Sequence, residues 1–114
     1  MSETGQSWCL EFKAHPSEAR QAREWVASRL MHPYAAQVAH ELFVSVLATG
    51  TEAIEMTLST AGRRMRIMAA GSVELSVLHS HGPGFQIVNA LSAQCGVNTD
   101  GQGLWALLGA KGET

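Results

Sequence analysis

The sequence predicts an α+β fold, a two-layer α/β sandwich in which a mostly antiparallel sheet is covered on one face by about three helices. Three observations carry this. Short runs with apolar residues at every second position recur near the start and in the middle of the chain, as strands require. Stripes with spacings of three and four fall between and after them, as amphipathic helices require. Two of the alternating runs follow each other across a glycine turn, which makes a hairpin and not a strand–helix–strand unit. At 114 residues the chain suits one domain, 1–114, with its core at about 8–108. An antiparallel sheet needs only one covered face, so its other face is left to solvent or to a partner.

Taken in order, residues 8–12 alternate Trp8, Leu10 and Phe12 against Cys9 and Glu11, a short strand. His15-Pro16-Ser17-Glu18 marks a helix start, with proline in the first turn and an acid near the positive end of the dipole. Ala19, Ala22, Val26 and Leu30 then form one apolar stripe, while Arg20, Arg23 and Glu24 face away. This first helix ends near Met31-His32, ahead of Pro33. A second helix spans residues 34–49, with Gly50 as its C-cap. Within residues 52–60, Ile54, Met56 and Leu58 share a face, Gly62 supplies a turn, and Met65, Ile67 and Ala69 continue with the same period. The two runs make an antiparallel hairpin. Val73, Leu75 and Val77 alternate again, in a segment that reads equally as a mobile loop. Gly82-Pro83-Gly84 breaks the chain before a third helix, 85–94, with Ile87, Val88, Ala90 and Leu91 apolar. A last strand follows at 103–108, around Trp105. The three tryptophans, Trp8, Trp25 and Trp105, are expected in the core.

Composition narrows the function classes. With 46% apolar and 16% charged residues, the chain is globular. A net charge of −2 provides no basic face for nucleic acid. Arg63-Arg64-Met65-Arg66, the one basic cluster, marks a hairpin turn and a strand start. The opening MSETGQSW has no basic segment followed by an apolar one, so no signal peptide is expected. No apolar run approaches the roughly 18 residues of a membrane span, and the chain is expected in the cytoplasm. Cys9 and Cys95 lie far apart with no CxxC spacing, and in a reducing compartment they are expected as two buried free thiols.

The chemistry-bearing residues are few. In HELFVSVLATG, residues 40–50, Glu41 begins an apolar helix and Ser45 follows one turn later. His40 is five positions from Ser45, off its helix face, so no Ser/His/Asp arrangement can be argued. Gly82-Pro83-Gly84 at a helix start could hold a phosphate, since glycines let the backbone approach and the helix dipole favours an anion. The alternative is a plain turn stiffened by Pro83. A P-loop is excluded because no Gly-Lys-Ser/Thr follows. His79-Ser80-His81 could place two imidazoles on one side of an extended segment, but zinc needs a third and fourth ligand, and no cysteine or carboxylate lies nearby in sequence.

The order of elements and several stretches resemble the small ATP-binding domains of anti-sigma-factor serine kinases, within the Bergerat-fold (histidine kinase-like) ATPases. Glu41-Leu42-Phe43-Val44-Ser45-Val46-Leu47-Ala48-Thr49-Gly50 is similar to the family's Glu-Leu-x-x-Asn-Ala helix and its short tail to a glycine. Gly82-Pro83-Gly84-Phe85 and the helix behind it resemble the Gly-x-Gly-Leu signature. Cys95-Gly96-Val97 and Gly101-Gln102-Gly103-Leu104-Trp105-Ala106 resemble a tryptophan-glycine-valine and a closing glycine-lysine-x-x-tryptophan strand. The resemblance covers about residues 15–108. It implies that Glu41 is the position of a general base, that Ser45 stands where an asparagine would ligate magnesium, and that Gly82 and Gly84 stand where phosphates would be held.

Departures from the pattern change the expected function. A hydroxyl at Ser45 is a possible but shorter-reaching substitute magnesium ligand. The stretch Met68-Ala69-Ala70-Gly71 has no carboxylate where the family reads adenine, and an unpaired adenine amino group would cost about 1–3 kcal/mol. Gln102 replaces the closing lysine. The expected function is therefore a regulatory protein-binding module, a pseudo-ATPase with weak or no ATP binding and Glu41 as a vestigial base. No cofactor is then expected. The resemblance implies a sigma factor or an anti-sigma antagonist as partner, with homodimer formation possible, and residues 72–78 form an exposed apolar strip suited to contact. The alternatives are an active ATP-dependent serine/threonine protein kinase using magnesium, with Glu41 as base, or a nucleotide-binding domain without turnover.

Overall fold

A computed structural model describes residues 5–109; the ends of the expected domain, residues 1–4 and 110–114, lie outside them. The chain runs β1 (Gln6–Lys13), α1 (Glu18–Arg29), α2 (Ala35–Leu47), β2 (Ala53–Ala61), β3 (Arg64–Ala70), α3 (Val77–Ser80), α4 (Pro83–Leu91), β4 (Gln94–Val97) and β5 (Gly103–Leu108). The five strands form one sheet in the order β1-β2-β3-β5-β4, with every neighbouring pair antiparallel. The α+β class and the antiparallel sheet are as the sequence predicts. Among the described residues, no helix is long and apolar enough to cross a membrane.

The core lies between the helices and one sheet face. Ala19, Ala22, Val26 and Leu30, the predicted stripe, are all buried. Helix α2 buries a broader stripe that includes Val38, Leu42, Phe43 and Val46, and it packs on β2, β3 and β5. Phe12 meets Phe43 and Trp25 edge-to-face, with ring centroids 6.1 and 5.9 Å apart. Burying each such side chain contributes about 1.5–3 kcal/mol. Gly50 ends α2 at φ +84°, donating its N–H to the Leu47 carbonyl at 3.2 Å, a backbone conformation that side chains with a Cβ resist. Ile54, Met56 and Leu58 of β2 and Ile67 and Ala69 of β3 face the same core.

Several expectations need correction. Leu10 points to the helix side of β1 with Phe12 yet stays 42% exposed. Arg23 does not face away: half-buried, it donates from Nη1 to His40 Nδ1 at 3.1 Å and ties α1 to α2. Trp8 and Trp25 pack against the core, but Trp105 alternates with buried Leu104 and Ala106 and lies on the opposite sheet face. Cys9 is exposed on that face and Cys95 is half-buried, so the thiols are free but not both enclosed.

The third predicted helix begins earlier and ends sooner than residues 85–94. Proline starts it at Pro83, and it stops at Leu91 so that Gln94 can open β4. Of its apolar residues Val88 is buried, while Ile87 is 40% exposed. Residues 71–76 form neither a strand nor a free loop. Leu75 donates its N–H to the Gly101 carbonyl at 2.8 Å, and Gly71 donates to the Gln102 carbonyl at 3.0 Å. Leu75 packs on the core, whereas Val73 and Val77 are 38% and 73% exposed, so the expected apolar strip is interrupted.

Candidate functional site

Helix α2 turns Leu42, Phe43 and Val46 into the core, which leaves Glu41 and Ser45, one turn apart, on its flank. The start of α4 lies against that flank. Gly82 is the N-cap in extended conformation, Pro83 is the first helical residue, and Gln86 donates the first intrahelical bond to the Gly82 carbonyl at 3.1 Å. Glu41, Ser45, Gly82 and Gly84 therefore line one cleft, closed on a third side by His79 of α3. All four sequence-predicted site residues come together.

The cleft is small, about 200 Å³. Small-molecule sites generally enclose about 300–1,000 Å³. Its tightest point is between Glu41 and Gly84: a methyl group on Gly84 would lie 2.9 Å from Glu41 Oε1 and 3.6 Å from Ser45 Oγ. The carboxylate thus rests against the first turn of α4, where the helix dipole is positive and the first-turn amides have no carbonyl partner inside the helix. Its other oxygen, Oε2, accepts from Gln37 Nε2 at 2.9 Å, one turn back along α2. An anion approaching the start of α4 would meet this carboxylate.

His79 belongs to the cleft and was not singled out for it by spacing. Its Nδ1 accepts the backbone N–H of Ser76 at 3.1 Å, at the start of α3. A neutral ring so held carries its proton on Nε2 and offers a donor there, with no lone pair to take a proton from Ser45. A serine–histidine nucleophile pair is excluded in that tautomer. His81 lines a different hollow, with Phe85, Asn89 and Cys95, so the two imidazoles do not converge. Among the described residues, no cluster of three or more metal-ligating side chains occurs. In the hollow with His81, burial pushes the Cys95 thiol up, and it donates to Asn89 Oδ1 at 3.5 Å. That thiol is held in its unreactive form.

The end of β3, Met68-Ala69-Ala70-Gly71, carries no carboxylate. At the end of β3 Ala69 is fully buried toward the helices, and the methyl group it offers accepts no hydrogen bond. Gly71 lies against Thr51, whose Oγ1 accepts the Ser72 N–H at 3.0 Å and donates to the Ala53 carbonyl at 2.9 Å. Gln102 is directed elsewhere: its Nε2 reaches the Ser72 carbonyl at 3.5 Å, and its backbone N–H is held by Asp100 Oδ1 at 2.8 Å. The structure does not bring Gln102 to the cleft of Glu41 and Ser45. Compared with protein-family models and with curated proteins, the chain matches none.

Proposed function

We propose that this chain is a regulatory protein-binding module, a degenerate relative of the anti-sigma-factor serine kinases with the histidine kinase-like ATPase fold. It binds ATP weakly or not at all, and it acts in the cytoplasm through contact with a sigma factor or an anti-sigma antagonist. The observation that carries this reading is the Glu41 carboxylate lying against Gly84 at the start of α4. A triphosphate entering there would have to displace a like charge from the positive end of the helix. The buried methyl of Ala69 and the diversion of Gln102 to Ser72 support the same reading.

One observation favours a second reading, the active kinase: the four family positions Glu41, Ser45, Gly82 and Gly84 do share a cleft. Calorimetric titration with Mg-ATP separates the two. The binding module gives no heat at micromolar nucleotide. Magnesium-dependent binding overturns it, and loss of phosphotransfer on Glu41→Ala would then establish the kinase with Ser45 as magnesium ligand. Binding that persists without magnesium would mark a nucleotide-binding domain without turnover. Pull-down from the native host with mass spectrometry identifies the partner.

A further inference from the structure

We infer that the hollow on the open face of the sheet, between Trp105 and the turn from β4 to β5, is a carbohydrate subsite that takes a neutral pyranose with its C–H face on the indole. It lies on the other side of the sheet from the Glu41 cleft, and the inference holds whatever that cleft binds.

Two glycines shape the floor. Trp105 pairs with Gly96 of the edge strand β4, and three atoms of its indole lie 3.0–3.2 Å from where a Gly96 Cβ would be. The ring therefore lies down across β4 instead of standing off the sheet, as strand side chains usually do. Further along, the Asn98 amide nitrogen fills the space that a Gly103 side chain would take, and it donates to Met68 Sδ at 3.2 Å. The turn beyond is fixed by its backbone. Asn98 donates its N–H to the Gly103 carbonyl at 2.8 Å, and Gly101 donates to the Asn98 carbonyl at 2.9 Å. Thr99 and Asp100 are thereby held at one rim. Arg66 forms the other: it pairs with Leu107, two residues past Trp105, and its guanidinium stands over the indole at 5.4 Å. The hollow so enclosed is about 290 Å³, close to the lower end of small-molecule sites.

Uncommitted hydrogen-bonding groups select the ligand. Among the described residues, the Trp105 Nε1–H has no acceptor and Asn98 Oδ1 has no donor. One Asp100 oxygen is open, the other being held by the Gln102 N–H at 2.8 Å. Arg66 is exposed and forms no ion pair among those residues. A cation on the indole would meet Arg66, and an anion would meet Asp100, so neither sign of charge is favoured. A neutral ligand with several hydroxyls uses both rims. Each hydroxyl donates to a carboxylate or amide oxygen and accepts from a guanidinium or indole N–H. A pyranose with equatorial hydroxyls adds a flat apolar face, whose C–H groups point at the negative face of the indole. On binding, the Arg66 guanidinium swings on its flexible stem from the ring to the ligand's hydroxyls.

Titration of the ¹⁵N-labelled full chain tests this, with methyl β-glucopyranoside, methyl β-galactopyranoside and methyl α-mannopyranoside as probes. The readouts are the indole N–H of Trp105 and the backbone amides of Thr99 and Asp100. At least one pyranoside shifts all three saturably, with a millimolar dissociation constant, the strength expected of a ligand of about a dozen atoms in an open site. Trp105→Ala removes the platform, and Gly96→Val forces the ring off β4 while keeping the indole. Each weakens binding about tenfold or more, read at the Thr99 and Asp100 amides. Circular dichroism and the indole signals of Trp8 and Trp25 check that both variants fold; should one fail, the other carries the test. Four results overturn the inference: no saturable shift up to about 100 mM of any probe, shifts that glycerol reproduces, binding that survives either folded variant, or a response to adenosine or guanosine with none to the pyranosides.

Discussion

Two parts of the molecule are held by different physics. In α1, α2 and the β2–β3 hairpin, position is set by what side chains bury: Val26, Leu42, Phe43, Ile54 and Leu58 are fully enclosed. Around α3, α4 and the turns at 71–76 and 101–102, burial is thinner: Leu75, Phe85 and Leu91 are only partly buried against the core, and backbone bonds and a missing side chain share in setting position. The turns at 71–76 and 101–102 are joined through main-chain hydrogen bonds, α4 buries Val88 alone, and Gly84 meets a carboxylate. The first arrangement resists change everywhere along its stripes. The second resists change at a few points and tolerates it elsewhere.

Substitutions can break that contrast, and the largest effect is expected in the core. Phe43→Ala should cost about 3–5 kcal/mol in denaturant unfolding. A loss below about 1 kcal/mol, the ordinary scale of a surface change, would mean that α2 is not held by burial. Next comes Gly71→Ala. The new methyl would sit 2.7 Å from Thr51 Oγ1, in a buried residue whose hydroxyl is already committed, so about 1–3 kcal/mol should be lost. Glu41→Gln removes a charge from the positive end of α4 and should cost about 0.3–1 kcal/mol at low salt, less in high salt. Gly84→Ala should change stability least, within about 0.5 kcal/mol, because the atom it meets is the tip of a flexible carboxylate and alanine favours a helix. A large loss there would show the cleft to be rigid in the same way as the core.

The same contrast explains what could be read from the sequence. Ala19, Ala22, Val26 and Leu30 announce α1 because burial imposes a helical period, and Ile54, Met56 and Leu58 announce β2 because it imposes a period of two. Gly103–Leu108 was legible for the same reason. The short β4 was not, since Gln94, Cys95, Gly96 and Val97 carry no buried alternation and pair with one neighbour. Residues 73–77 show apolar alternation yet form no strand: of the three apolar residues only Leu75 packs on the core, and its backbone is held by Gly101. Trp105 is not in the core because β5 turns Leu104, Ala106 and Leu108 inward, which sends the alternate residue to the other face. Glu41, Ser45, Gly82 and Gly84 were found through motif resemblance. His79 could not be, because what brings it to the cleft is the Ser76 N–H on its ring.

A smaller test concerns the thiols. Cys9 is exposed, whereas Cys95 is half-buried with its thiol pushed up, so iodoacetamide should alkylate Cys9 first at neutral pH. Equal rates would mean that the region around α4 and β4 opens freely. For the cleft itself, the most direct measurement is the amide spectrum of Gly84 and Phe85 during titration with Mg-ATP. A carboxylate already seated at the start of α4 leaves both resonances in place up to millimolar nucleotide. Saturable, magnesium-dependent shifts of those two amides would contradict a closed cleft and restore Glu41 to a catalytic role.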